Sequence, residues 1–243
     1  MSTREDWQRR LGPLYGGAVA LVSSTSWRWP TEVSEDTRSP GWVVALGLPV
    51  GIGAWAIAAL LHAAGLPSAI AAVFGLAALS AGSALIVERG LAQRVDHWIA
   101  AEDRSPVGST FVLVMATVIR ALALASLPPS QWLLVFLATA VVGRWSAVFL
   151  QAIGDPILGD DHRRSLVATP SPAWLTAAIS VAVAALAIFA LGKAGIVVLA
   201  LAAIAAFSLG LEAQKRDGVL SAPVVATAAA IGELIVLLVA TIK

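Results

Sequence analysis

The residues able to do chemistry fall in three places. In the first, 88–104, Glu88, Arg89, Gln93, Arg94, Asp96, Glu102 and Asp103 accompany Leu91, Val95, Trp98 and Ile99 at i, i+4, i+7 and i+8. That spacing predicts a helix with one apolar face. It reads as an amphipathic helix in a membrane interface with Trp98 as anchor, or as the wall of a phosphate site. The second place is Gly159-Asp160-Asp161-His162-Arg163-Arg164, the densest charge cluster in the chain. Paired carboxylates hold Mg²⁺ through oxygen, and Arg163 and Arg164 would hold phosphate beside it. A solvated loop accounts for the same residues more simply. The third place is a set of three ionisable residues inside apolar runs, Arg120, Arg144 and Glu233. Charge in lipid is costly and is usually paired or functional. Arg120 and Glu233 sit at a common depth, roughly 18–21 Å from the boundary on the amino-terminal, cytoplasmic side at ~1.5 Å per residue. That predicts an ion pair between their helices, with substrate binding as the alternative. Arg144 lies about 14 Å in by the same rise, with no acidic residue at its level. Its guanidinium fork suits capture of a phosphate from a cavity.

The elements that must carry these residues are set by composition. Of 243 residues, 58% are hydrophobic and 13% charged, about half the charge of a soluble domain, and mean hydropathy is +0.85. A water-soluble domain and a disordered chain are both excluded. A net charge of +1 gives no field that would recruit nucleic acid. The absence of Cys removes disulfides, thiolate metal sites and Cys nucleophiles together. No phosphate-binding glycine loop, dinucleotide fingerprint or Ser-His-Asp order is present.

Seven segments have the ~20 apolar residues that a spanning helix needs: 42–64, 67–87, 108–127, 131–153, 173–191, 194–211 and 219–241. An eighth, 11–24, is too short, follows a polar start and lacks a small-residue cleavage site. It is expected to be an interfacial or half-inserted helix rather than a signal peptide. With that segment not crossing, twelve of the 16 Lys and Arg lie on the amino-terminal side, Lys193 and Lys243 lie opposite, and Arg120 and Arg144 lie within spans. The positive-inside rule then puts the amino terminus in the cytoplasm and the carboxyl terminus outside. The fold expected is all-α and integral to the membrane, one multi-pass domain over 1–243. Residues 1–41 would form a cytoplasmic or interfacial segment, and 42–241 a bundle of about seven helices.

The order of features resembles the cobalamin-5′-phosphate synthase family, also called adenosylcobinamide-GDP ribazoletransferases. Thr25 and Pro30 match the spacing of that family's first turn, and Leu48-Pro49-Val50-Gly51 its proline- and glycine-bearing helix. Gly90-Leu91-Ala92 falls at its aspartate-rich motif. Asp103, Arg104, Gly108 and Ser109 follow its next segment, Arg144 a mid-chain arginine, and Ile231-Gly232-Glu233-Leu234 its last helix. The resemblance implies a multi-pass membrane enzyme that joins activated cobinamide to α-ribazole or its phosphate and releases GMP, with Mg²⁺ held by aspartates.

The departures fall on the chemistry. Where the family carries three aspartates around Gly-Leu-Ala, this chain has Arg89, Gln93 and Asp96, and an upstream histidine is matched by Val87. The family's late Gly-Gly-x-Thr-Gly-Asp reads Gly218-Val219-Leu220-Ser221-Ala222-Pro223. One carboxylate cannot replace three, because Mg²⁺ bridging a diphosphate needs several protein oxygens to fix it. The expectation is therefore a non-catalytic accessory subunit, embedded in lipid and packed against other membrane subunits, in a bacterial-type inner membrane. The alternative is an active transferase rebuilt around the metal candidates Glu88, Asp96 and Asp103 and the phosphate candidates Arg104, Arg144, Arg163 and Arg164. Mg²⁺ is its cofactor. A transporter is a further alternative and would show a broken helix near Pro49 or Pro223.

Overall fold

In lipid, every backbone N–H and C=O must be satisfied within its own segment, so uninterrupted apolar runs become helices. A computed structural model describes residues 3–27, 39–99, 107–154, 165–169 and 172–242, and each regular element among them is helical. In chain order they are α1 (Thr3–Leu11), a 3₁₀ turn (Gly12–Leu14), α2 (Tyr15–Ser24), α3 (Pro40–Ala45), α4 (Gly47–Ala63), α5 (Ser68–Gly82), α6 (Ile86–Ile99), α7 (Val107–Ala125), a second 3₁₀ turn (Pro129–Gln131), α8 (Trp132–Ile153), α9 (Ala173–Leu191), α10 (Ala194–Asp217) and α11 (Ala222–Ala240). Six stretches are long and apolar enough to cross a membrane: Pro40–Ala63, Val107–Ala125, Pro129–Ile153, Ala173–Leu191, Ala194–Asp217 and Ala222–Ala240. Counting the bent pair α5–α6 as one span makes seven. The chain is a multi-pass helical membrane protein.

Helices α8 and α11 form the centre of the bundle. Over their apolar windows, 78% of Pro129–Ile153 and 61% of Ala222–Ala240 are buried, against 22–33% for the other spans. Small residues let the two backbones approach. A Cβ placed on Gly143 would stand 2.5 Å from Glu233 Cγ, and one on Gly232 would run into Ser146 Oγ. The outer helices turn Phe111, Leu122, Trp174, Val181 and Phe189 outward, each at least 65% exposed, as lipid-facing positions should be.

Three expectations from the sequence are corrected. Segment 67–87 does not run through as one helix. It stops at Gly82 and turns by 80° into α6. Ala84 and Leu85 have φ of 53° and 56°, a left-handed conformation that L-residues with a side chain adopt at a cost. The bend is fixed by polar contacts, with Ser26 N donating to Gly82 O at 3.0 Å and Arg144 Nη2 to Ser83 Oγ at 3.1 Å.

Second, α10 does not end at 211. It runs to Asp217 and is closed by Gly218 at φ 74°, a left-handed cap, so Glu212 and Asp217 stand on helix rather than in a loop. Third, the sharp bend lies at 83–85; of the two places where a transporter would break, Pro49 follows a turn at Leu46 between α3 and α4 within one span, and α11 runs unbroken from Ala222. Pro49 is the third residue of α4 and Pro223 the second of α11. In a first turn the missing N–H of proline costs nothing. The short amino-terminal segment expected over 11–24 is divided: Leu11 closes α1, 12–14 form a 3₁₀ turn, and α2 is 10 residues, about 15 Å, with Gly16 and Gly17 under the Trp42 indole.

Candidate functional site

Helix α6 packs along α11 because Gly90 admits it. A Cβ there would overlap that of Ala226. One turn further on, the same face presents Arg94, which is only 2% exposed. The apolar face expected from spacing is therefore rotated. Val95 is buried with Ile86, Val87 and Gly90, while Trp98 and Ile99 are 37% and 55% exposed. A buried guanidinium needs acidic partners, and α10 supplies two. Arg94 Nη1 donates to Asp217 Oδ2 and Nη2 to Glu212 Oε2. His97 Nε2 lies 2.9 Å from Asp217 Oδ1, Trp98 Nε1 donates to Glu212 Oε1 at 3.1 Å, and Arg94 Cζ stands 5.4 Å from the Trp98 ring centroid. Spacing alone put Arg94 on the solvated face and Glu212 and Asp217 in a loop. The signal that would have found this cluster is the pair Gly90 and Arg94 at i and i+4, together with a cap glycine as late as Gly218.

Beside this cluster opens a pocket of about 480 Å³ lined by Gln93, Arg94, His97, Asp217, Ser221 and Pro223. It joins the two segments that the resemblance singled out, for Gln93 and Pro223 are positions where aspartates were expected. The donor set does not fit Mg²⁺. Pro223 has no side-chain donor, Gln93 is neutral, and the carboxylates within reach are already bound to Arg94 and His97. Among the described residues no group of three or more His, Asp or Glu is placed to hold a metal ion.

Of the metal candidates, the two described, Glu88 and Asp96, do not come together. Asp96 is half-buried, and Glu88 is eight residues away on the same helix, about 12 Å along it and ~80° around. Glu88 instead accepts from Ser80 Oγ at 2.5 Å and from Arg120 Nη1 at 3.4 Å. Asp103, Arg104, Arg163 and Arg164 lie outside the described residues, as do Asp160 and Asp161.

Deeper in the bundle, Arg120 and Glu233 are 4% and 5% exposed, with Nη2 and Oε2 3.2 Å apart. Arg120 Nη2 also donates to Ala230 O at 3.1 Å. With Glu88 the network ties α7 to α6 and α11, and through Ser80 to α5. Arg144 does not face the pocket. It is 3% exposed and donates through Nη2 to Ser24 O at 3.2 Å and to Ser83 Oγ, joining α8 to the end of α2 and to the elbow. The residue expected to capture phosphate thus braces the bend through Nη2, while its Nη1 is buried with no protein partner.

Comparison with protein-family models gives a match to cobalamin-5-phosphate synthase over residues 17–241. No curated protein matches, and no solved structure does. The family match spans the whole helical bundle, including the elbow and the pocket between α6 and α11. This chain belongs to the cobalamin-5-phosphate synthase family.

Proposed function

We propose that this member of the family does not catalyse the transferase reaction and serves as a structural accessory subunit of a membrane complex. The observation that carries this reading is the pairing of Arg94 with both Glu212 and Asp217 beside a pocket whose motif positions are Gln93 and Pro223. Transfer from a nucleoside-diphosphate-activated substrate needs a cation to neutralise charge developing on the diphosphate. Here the fixed cation is already neutralised by two carboxylates, so the pocket offers a diphosphate little attraction. The exposed faces of α7 and α9 supply apolar area for lipid and for partner helices. The charge distribution supports an inner-membrane location with the amino terminus and the pocket facing the cytoplasm.

Isothermal titration of the detergent-solubilised protein with GDP-cobinamide, with and without Mg²⁺, tests the reading. It predicts no Mg²⁺-dependent binding. Micromolar binding that requires Mg²⁺ would overturn it and would support an active transferase, the reading favoured by the openness of the pocket beside His97 and Ser221.

A further inference from the structure

We infer that the slot between the carboxyl-terminal ends of α8 and α10 seats one acyl chain of an anionic phospholipid, with Lys215 holding its headgroup. The slot shares no lining residue with the pocket between α6 and α11. The inference therefore stands whether or not that pocket is catalytic.

Three observations carry it. First, the slot opens to the bilayer rather than into the bundle. Leu150 and Leu220 on its inner wall are buried, whereas Ile153, Phe207 and Leu211 on its rims are each more than 40% exposed. Behind it α8 and α10 are in contact, for a Cβ on Gly210 would stand 2.6 Å from Leu150 Cδ1. A recess walled by leucine on the lipid-facing surface suits an acyl chain, which is as apolar as leucine itself.

Second, the slot becomes polar at one end, where Gln214 lines it. Phe207, Leu211 and Lys215 follow at i, i+4 and i+8, so they share one face of α10. That face is apolar for two turns and then cationic. A phospholipid has the same order, chain first and charge at the interface. Trp98, bonded to Glu212 on the neighbouring turn, marks the headgroup level.

Third, Lys215 is a cation that the protein leaves unspent. Among the described residues, Glu212 is committed to Arg94 and Arg216, and Asp217 to Arg94 and His97. Lys215 is exposed and pairs with neither. Its long stem can lie along the rim while the ammonium reaches the interface. An ammonium placed there favours a headgroup of net negative charge over a zwitterionic one, which brings its own cation.

The experiment uses the full chain in mild detergent, exchanged against equimolar phosphatidylglycerol and phosphatidylcholine, with retained lipid counted by native mass spectrometry. The wild type should retain one phosphatidylglycerol with about five-fold preference, the effect of one cation near the headgroups. Lys215→Gln should bring the two lipids to about parity. Arg216→Gln, whose guanidinium is turned to Glu212, should keep the preference. Ile153→Trp should fill the slot and lose the retained lipid of either kind, and Leu211→Trp serves should that variant not survive purification. Leu60→Trp, on the exposed face of α4, should lose none. Equal retention of both lipids by the wild type would overturn the inference. A loss of preference in Arg216→Gln as large as in Lys215→Gln would also overturn it, because the whole positive surface would then be acting. So would lipid undiminished in the slot-filling variants, or a co-purifying subunit lost in them, which would assign the slot to a partner helix.

Discussion

Ser80 and Glu88 stand on opposite arms of an 80° bend and are joined by a 2.5 Å hydrogen bond from Oγ to Oε1. The same Oε1 takes Arg120 Nη1 at 3.4 Å, and Arg120 reaches on to Glu233. The chain of contacts thus runs from the elbow through α7 to the central helix α11. Its energetics are unequal. Arg120 serves two carboxylates, whereas each carboxylate has other or lesser obligations.

Arg120→Ala should therefore be worse than Glu233→Ala. The first leaves the buried Glu233 and the part-buried Glu88 without a cation, at a cost of about 3–5 kcal/mol. The second leaves Arg120 paired with Glu88. Thermal unfolding of the two variants in the same detergent checks the order, and an equal or reversed ranking would mean that the network is not centred on Arg120.

The close approach of α6 to α11 predicts a steep size dependence at Gly90. Gly90→Val should destabilise by at least about 1–3 kcal/mol, the range for overpacking, because the new Cβ meets that of Ala226. Gly53→Ala, where nothing lies within 4 Å of the added Cβ, should be neutral or stabilising, since alanine is the better helix former. Comparing Tm and purified yield separates a contact effect from general intolerance of glycine replacement.

The elbow makes the opposite prediction for its own residues. At φ 53° and 56°, Ala84 and Leu85 each carry a left-handed cost of roughly 1–2 kcal/mol that glycine does not. Ala84→Gly should be neutral or stabilising. In contrast, Ala77→Gly inside α5 should lose about 1 kcal/mol. Loss of stability at both positions would contradict a strained bend.

Arg144 Nη2 bridges Ser24 O and Ser83 Oγ, so Arg144→Ala, which removes both bonds and leaves the buried acceptors unmet, should lower Tm by several degrees. If Arg144 were a ligand residue, the variant would lose ligand affinity while keeping its thermal stability.

Much of this architecture was legible in the residues because lipid leaves the backbone few choices. Apolar runs marked six of the spans and the first arm of the bent α5–α6 pair, and a constant rise per residue was enough to bring Arg120 and Glu233 to one depth. What was illegible depended on close approach between helices. Periodicity put Arg94 on the polar side of α6, and nothing local to that helix shows that Gly90 will draw it onto α11. The run from Glu212 to Asp217 reads as a solvated loop by charge, yet it continues α10 and supplies the partners of Arg94. The bend at 83–85 has no proline or glycine within it to announce it. It is held by Arg144 and by the Ser80 to Glu88 bond, groups 61 and 8 residues apart from their partners.

The central claim, that the pocket between α6 and α11 no longer performs the transfer, is tested most directly by turnover. Purified protein in lipid nanodiscs would be incubated with GDP-cobinamide, α-ribazole and Mg²⁺, and GMP release measured against empty nanodiscs. The account predicts release no greater than in the empty control. Mg²⁺-dependent GMP release that falls in Asp96→Asn would contradict it and would mean that the remaining carboxylate serves a rebuilt catalytic site.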